Sequence, residues 1–226
     1  MGEGNRLRDY RGKRDFGRTG EPEGGHGEPE GGHGEPEGGH TAPSGAGEPR
    51  FVVQIHDAST LHFDFRLQVA DVLKSWSVPK GPSADPGDKR LAVPTEDHPL
   101  EYEEFEGVIP RGEYGGGTVI VWDRGTYEPL SHDRRGRPVD FAESLEHGHA
   151  RFRLSGSKLH GEYALTRFRG GRDGDDEEAW LLVKTVGKGA RGHGTPDPRR
   201  ARSARTGRTL GQVAADAGEG GDGTGE

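Results

Sequence analysis

The stretch IHDASTLHFDFRLQV, residues 55–69, carries the side chains best suited to chemistry in this sequence. Side chains alternate between the two faces of an extended strand, so His62, Asp64 and Arg66 share one face. His62 and Asp64 are about 7 Å apart along such a strand, which lets both reach one cation. Imidazole and carboxylate ligands without sulfur suit Mn²⁺, Fe²⁺ or Zn²⁺. Arg66 would stand beside that cation as a planar fork for phosphate or carboxylate oxygens.

The preceding run FVVQI predicts a β-hairpin that adds a further ligand. Pairing it with LHFDFRLQV in one register buries the apolar sides of both segments together. The predicted pairs are Ile55 with Phe63, Val53 with Phe65 and Phe51 with Leu67. The same register places His56 opposite His62. The alternative interpretation is a solvated polar face without a function.

A second polar group follows in the segment TEDHPLEYEEF. Glu96, His98 and Tyr102 stand at even spacing there. His98 suits a fourth ligand, a phosphate contact or a general acid, and Tyr102 suits a hydrogen bond to an oxyanion. Cationic side chains flank these segments at Lys80, Arg90 and Arg111.

The elements that must position these residues are predicted to be strands. From Phe51 to Val186 the sequence shows short β-branched or aromatic runs separated by Gly, Pro and Asp turns. This pattern is typical of an antiparallel β-sandwich or a small β-barrel. A short helix over Phe141 to Glu146 is the only helix that the sequence predicts.

Composition divides the chain into four segments. Only 28% of its residues are hydrophobic and 41 are glycine, too few apolar side chains for one core along the whole length. We therefore expect one all-β domain between disordered arms. The predicted segments are a basic N-terminal segment (1–19), an acidic Gly/Pro linker (20–50), the β-domain (51–186) and a basic, then acidic disordered tail (187–226). The linker contains GEPEGGH three times, and the six glutamates of these repeats supply most of the net charge of -8.

The absence of cysteine excludes disulfides, thiolate metal sites and a cysteine nucleophile. No segment has the composition of a signal peptide or the roughly 18 apolar residues of a membrane span. The sequence thus predicts a soluble cytoplasmic protein without a membrane partner. The basic half of the tail could contact DNA without sequence preference.

Several runs together resemble a known family, the 3′-phosphoesterase domain of bacterial DNA ligase D, which also occurs as a stand-alone protein. The similar runs are FVVQIHDASTLHFDFRL, SWSVPKGPSADPGDKRLAVPTEDHPLEYEEFEGVIPRGEYGGGTVIVWDRGTY, FRLSGSKLHGEYAL, WLLVK and the N-terminal LRDYRGKRDFGRTGEPEG. The resemblance implies a compact antiparallel β-barrel with short helical turns. It also implies a metal-dependent enzyme, with Mn²⁺ preferred among divalent ions. Such an enzyme removes a 3′-phosphate, or first a 3′-terminal ribonucleoside, and leaves a 3′-hydroxyl for non-homologous end joining.

The resemblance also implies roles for individual residues. It matches His56, His62 and Asp64 to metal ligands. It matches Arg66, His98 and Tyr102 to catalytic residues that engage the scissile phosphate, with proton transfer by His98. The supporting or DNA-binding positions are Lys80, Arg90, Glu96, Arg14, Asp15 and Glu21, of which Arg14, Asp15 and Glu21 are linked to ribonucleoside removal. Because the linker repeats, Glu28 and Glu35 share the local context of Glu21.

The expected partners are DNA 3′ ends in the nucleoid and a separately encoded ligase, polymerase or Ku-type end-binding protein. Two other functions fit parts of the pattern. His62, Asp64 and His98 match the His-x-Asp…His triad of non-haem iron oxygenases. A non-catalytic DNA-binding accessory module of a ligase is the other alternative.

Overall fold

A computed structural model of the chain describes residues 6–24, 47–169, 178–185 and 195–219. Ten strands lie within these residues, and we number them β1 to β10. They are Arg50–Asp57, Leu61–Val69, Val72–Val78, Lys89–Pro94, His98–Pro99, Gly107–Ile109, Gly117–Pro129, His149–Gly156, His160–Arg169 and Glu178–Lys184. The same part of the chain contains three α-helices, namely α1 (Arg8–Gly12), α2 (Phe141–Glu146) and α3 (Leu210–Glu219), with a 3₁₀ helix at Leu100–Glu104. None of the helices in the described residues is long and apolar enough to span a membrane.

Eight strands close into an antiparallel barrel, which confirms the predicted all-β barrel fold. Their order is β1, β2, β3, β4, β10, β9, β8 and β7, and β7 pairs again with β1. The two remaining strands are short: β5 pairs with β3, and β6 pairs with β7. The barrel therefore has no free edge among these eight strands.

The β1–β2 hairpin has the predicted register. Ile55 faces Phe63, and the pairing continues in both directions until His56 faces His62. The apolar side of both strands lies inside the barrel, where Ile55 and Phe63 are buried in the main core. The polar side, with Asp64, consequently faces outward.

The outward face of this hairpin is covered, which the alternative of a solvated face did not anticipate. A second apolar cluster joins Val52 and Leu73 of the barrel to Tyr102 of the 3₁₀ helix and Tyr10 of α1. Tyr10 is fully buried, and its hydroxyl donates a hydrogen bond to Pro22 O at 2.6 Å. Residues 6–24, which we call the N-terminal segment from here on, thus form with the 3₁₀ helix a second layer over the polar face.

The tail departs from the prediction of disorder at residues 195–219. Helix α3 places Leu210 and Val213 in the main core, and Ala201 joins them. The backbone N–H of Ala204 donates to Val121 O of β7 at 2.8 Å. The prediction of disorder was wrong here because it relied on the average composition of the tail. That average does not reveal the few apolar residues, Ala201, Leu210 and Val213, that reach the core. Of the helices, α2 was predicted with its bounds, whereas α1 and α3 were not.

The repeats of the acidic linker lie mostly outside the described residues, which include only Gly20 to Gly24 of that region.

Candidate functional site

Strands β1 and β2 bring together the three predicted metal ligands. The register sets His56 beside His62, and Asp64 follows two residues later on the same face. One ligand atom from each of the three lies within 4.8 Å of the others. Among the described residues this is the single group of three or more such side chains with that geometry.

Backbone carbonyls fix the tautomers of both histidines. Nε2 of His56 donates to Gly115 O at 2.7 Å, and Nδ1 of His62 donates to Thr60 O at 2.8 Å. A carbonyl oxygen only accepts, so in the neutral form of each ring the other nitrogen is the one that carries the lone pair. Those nitrogens lie 3.8 and 3.6 Å from the carboxylate oxygens of Asp64. This orientation by backbone acceptors is typical of metal-binding histidines.

Asp64 is ionised in this site. Burial alone raises its pKa, but the charge of Arg66 and contacts with His56 and His62 outweigh it and hold the pKa well below its usual range. Nη2 of Arg66 lies 3.1 Å from the Asp64 carboxylate. Two lone-pair nitrogens and a carboxylate therefore converge on one point, a donor set that suits a divalent cation.

Arg66 is held rigidly, with 2% of its surface exposed. Its Nε donates to Gln54 Oε1 at 2.8 Å and its Nη1 to Ser75 Oγ at 2.9 Å. The guanidinium also lies over the ring of Tyr102, with Cζ 4.8 Å from the ring centroid. An arginine fixed on several sides presents its remaining N–H groups in a constant direction.

Gln54 is a buried residue of the site that the sequence interpretation missed. Its Nε2 donates to the carbonyl oxygens of Tyr102 and Phe105 at 3.1 and 2.9 Å, while its Oε1 accepts from Arg66. The side chain thereby ties β1 to the 3₁₀ helix. Its position opposite Asp64 on the polar face of the hairpin was the available signal.

His98, on β5, is neutral. Its Nδ1 donates to Glu96 O at 2.8 Å, so Nε2 carries the lone pair, and Arg14 Nη2 lies 3.4 Å from it. Burial, followed by the charges of Arg66 and Arg14, holds the pKa of His98 well below its ordinary value. In this state the ring can accept a proton and has none to give at Nε2.

The N-terminal segment supplies an arginine and a carboxylate to the site. Glu21 Oε1 accepts from Arg14 Nε at 2.8 Å and from the hydroxyl of Tyr102 at 2.9 Å. Its Oε2 accepts from Thr19 Oγ1 at 2.9 Å. Burial, the largest effect, raises the pKa of Tyr102 well above its usual value. The Tyr102 hydroxyl therefore stays protonated, and its hydrogen is already donated in the bond to Glu21.

Glu96 connects the same segment to the barrel. Its Oε1 accepts from Arg14 Nη1 at 3.0 Å, and its Oε2 accepts from Lys13 Nζ at 3.2 Å. The hydroxyl of Tyr114 lies 3.4 Å from Oε2. Glu96 thus holds Arg14 next to His98.

These side chains line one cavity of about 250 Å³. Its lining includes Arg14, Glu21, His56, His62, Asp64, Arg66, Glu96, His98, Tyr102, Tyr114 and Gly115. Nine of the predicted site residues thus meet in one place. A larger cavity of about 490 Å³ lies beside Trp76 and Trp180 and contains none of the metal-ligand residues.

Three predicted residues do not line this cavity. Lys80 is exposed in the turn after β3, and Arg90 pairs with Asp88 at 2.7 Å. Asp15 is exposed, and its carboxylate accepts from the backbone of Gly17 at 3.0 Å. The roles assigned to Lys80, Arg90 and Asp15 remain predictions.

The sequence profile described as DNA Ligase D 3'-phosphoesterase domain matches residues 54–167. The chain belongs to this family. The match begins at Gln54 and contains the three predicted metal ligands together with Arg66, His98 and Tyr102. Membership in the 3′-phosphoesterase family supports a hydrolase that acts on phosphoester bonds.

Individual relatives agree with the family profile. The chain is 47% identical over 180 residues to the multifunctional non-homologous end joining protein LigD of Pseudomonas aeruginosa, which covers 79% of this chain and 18% of that protein. It is 40% identical over 167 residues to the multifunctional non-homologous end joining DNA repair protein LigD of Mycobacterium tuberculosis, covering 74% and 19%. The chain thus spans about a fifth of the length of these curated relatives.

Proposed function

We propose that this chain is a metal-dependent phosphoesterase that processes DNA 3′ ends. It removes a terminal 3′-phosphate, or first a 3′-terminal ribonucleoside, and leaves a 3′-hydroxyl. The observation that carries the proposal is the adjacency of the His56, His62 and Asp64 group to Arg66, a buried arginine 3.1 Å from Asp64. A cation site beside a guanidinium matches the two charges of a phosphomonoester.

The donor set of imidazole and carboxylate groups without sulfur suits Mn²⁺, Fe²⁺ or Zn²⁺, and the resemblance to the family favours Mn²⁺ among them. When bound, such an ion would neutralise charge on a phosphate oxygen and lower the pKa of water. In the neutral rings of His56 and His62 one nitrogen donates to the carbonyl oxygen of Gly115 or Thr60. The other nitrogen therefore has its lone pair available for the ion. The ionised Asp64 supplies the charge that retains the ion.

In this proposal Arg66 binds the phosphate, and His98 accepts a proton. The rigid guanidinium stabilises negative charge that develops on the phosphoryl oxygens. Neutral His98 would accept at Nε2, which now faces Arg14, the proton released by the water that attacks phosphorus. Its role begins as a base, because two neighbouring guanidinium groups disfavour the protonated ring.

The N-terminal segment serves the ribonucleoside-removing step. Glu21 and Arg14 reach the cavity from this segment and contact Tyr102 and His98. A carboxylate and a guanidinium can together orient a ribose hydroxyl. Glu21 occupies this place among the described residues, while Glu28 and Glu35 lie outside them.

The cellular context follows from the relatives' names. Proteins named for non-homologous end joining contain a similar region, so we place this chain in the repair of broken DNA ends. Its expected partners are a ligase, a polymerase or a Ku-type end-binding protein, and its expected location is the cytoplasmic nucleoid.

The oxygenase alternative needs His98 as the third ligand beside His62 and Asp64. The structure instead groups His56 with those two residues, while Nδ1 of His98 is bonded to Glu96 O and its Nε2 faces Arg14. Two cationic neighbours of His98 favour an anionic phosphate over an iron ion at that position.

The deciding experiment uses a labelled primer-template with a 3′-phosphate, incubated with Mn²⁺ or with a chelator. We expect metal-dependent conversion to a 3′-hydroxyl, and near-complete loss of it in His62→Ala. His160→Ala is the matched control, because that histidine is exposed on β9, away from the cavity. Full activity of His62→Ala would overturn the metal assignment. Absence of phosphate release by the wild type would favour the accessory-module alternative.

A further inference from the structure

Tyr114 is the aromatic side chain that the site leaves open to solvent. It lines the cavity with 48% of its surface exposed. The other two tyrosines of the site, Tyr10 and Tyr102, are 0% and 2% exposed and are already packed against protein groups. Within the described residues, Tyr114 is thus the site tyrosine with ring surface free for a ligand.

The loop that carries Tyr114 is fixed on the metal side. The N–H of Gly116 donates to Glu113 O at 3.0 Å, which closes a turn around Tyr114. The next residue, Gly115, has a φ of 75°, a left-handed conformation that glycine adopts without strain. Its carbonyl accepts from His56, so the direction of Tyr114 is coupled to a predicted metal ligand.

Tyr114 is fixed on the phosphate side as well. Its hydroxyl lies 3.3 Å from Lys13 Nζ and 3.4 Å from Glu96 Oε2. The Lys13 ammonium and the Arg14 guanidinium lie 4.8 and 5.4 Å from its ring centroid. Arg14 in turn contacts His98, so one residue separates the Tyr114 ring from His98. Gly115 is the one residue between Tyr114 and His56 on the side of the predicted metal ligands.

We propose that Tyr114 is a substrate-binding residue on which the base of the 3′-terminal nucleotide stacks. The inference rests on the proposed function, since it takes the terminal phosphate to lie between Arg66 and the cation site. A ring next to that position meets the nucleoside that bears the phosphate. Every base offers a π-face, so stacking on an aromatic ring binds any terminal base with little sequence preference. Such tolerance suits an enzyme that meets ends of arbitrary sequence.

The test compares two 3′-phosphorylated primers, one with a normal terminal nucleotide and one whose terminal sugar lacks a base. We expect Tyr114→Ala to raise KM about tenfold on the first primer and to leave KM unchanged on the second, since only the first primer has a terminal base that loses its stacking partner. Tyr114→Phe keeps the ring and should restore most of the lost affinity. Leu91→Ala is the control, because Leu91 is equally exposed at 44% and lies on β4 outside the cavity.

Binding of both primers is also measured by fluorescence anisotropy in chelator, a readout that needs no turnover. Weaker binding of the base-bearing primer alone to Tyr114→Ala supports stacking, even if the wild type releases no phosphate and the proposed function fails. Equal losses on both primers would overturn the inference. So would unchanged binding, or a loss in Tyr114→Phe as large as in Tyr114→Ala, which would assign the effect to the hydroxyl contacts with Glu96 and Lys13.

Discussion

The hydroxyl of Tyr102 lies 2.9 Å from Oε1 of Glu21, although 81 residues separate them in the chain. The contact joins the N-terminal segment to the 3₁₀ helix that covers the polar face of the barrel. The Tyr102 hydroxyl therefore donates to Glu21, whereas the sequence predicted that it donates to an oxyanion. A substrate that uses Tyr102 as a donor must therefore displace Glu21, whereas one that contacts Glu21 can leave the bond in place.

The contact predicts energetic coupling between the two residues. Tyr102→Phe and Glu21→Ala should each destabilise the protein, and a double-mutant cycle in urea denaturation should give a coupling of about 1 kcal/mol. Pairing Tyr102→Phe with Glu23→Ala is the control, since Glu23 is exposed. Strict additivity in the first cycle would mean that the bond does not stabilise the folded state.

Metal binding should stabilise the protein through His62. An ion at a hundred times its Kd adds about 2.7 kcal/mol, which raises the Tm of a chain of this size by about 5 °C or more. Thermal melting with and without Mn²⁺ should show this rise in the wild type and in His160→Ala, and lose it in His62→Ala. An equal rise in His62→Ala would locate the bound ion elsewhere.

Gln54→Leu should destabilise the protein and weaken phosphate binding. The change removes the acceptor of Arg66 Nε and the amide that donates to Phe105 O and Tyr102 O, of which Tyr102 O keeps the N–H of Phe105. We expect a cost of about 1–3 kcal/mol in the free energy of unfolding. Gln68→Leu is matched in chemistry but half-exposed at the far end of β2, and should change stability by less than about 0.5 kcal/mol. Similar urea midpoints for the two variants would contradict the role of Gln54.

Stability should fall as the pH is lowered through the ordinary pKa of histidine, because of His98. Below pH 6.5 the unfolded chain binds a proton at this residue, while the folded protein keeps it neutral since its pKa is lowered. The unfolded state then binds more protons, so the free energy of unfolding decreases by at most about 1.4 kcal/mol per pH unit. Asp64 does not contribute in this window, because its lowered pKa affects stability only below about pH 3.8.

Urea denaturation of the wild type and of His98→Gln at about pH 7.5 and about pH 5.5 measures this effect. The variant should lose less stability than the wild type on acidification. His160→Gln, which changes an exposed histidine, should behave as the wild type. Equal pH dependence in wild type and His98→Gln would show that His98 titrates as it does in the unfolded chain.

Helix α3 should be part of the cooperative fold. Leu210 is 5% exposed in the main core, so Leu210→Ala should cost about 2–5 kcal/mol. Leu91→Ala, at an exposed position, should cost less than about 0.5 kcal/mol. If Leu210→Ala lowers the free energy of unfolding as little as Leu91→Ala does, packing of α3 against the core does not stabilise the fold.

The hairpin register was predictable because period-two alternation and burial admit one pairing that hides both apolar sets. The positions of Ser75 and Gly115 in the site were not predictable by spacing, because they lie on β3 and in a distant loop that the hairpin register does not place. Helix α3 escaped prediction for a related reason. Its two core residues, Leu210 and Val213, stand among Gly, Ala and acidic residues that resemble a solvated tail.

The turn between β1 and β2 contains Ala58, Ser59 and Thr60, and its length constrains how related sequences can diverge. Inserting or deleting one residue here, with the strand pairing shifted accordingly, would send Asp64 and Arg66 toward the barrel interior. Substitutions within the turn leave the pairing unchanged. Side chains in this turn can therefore change without moving the strand pairing, whereas a one-residue change in length that shifts the pairing would dismantle the candidate cation site and the candidate phosphate site together.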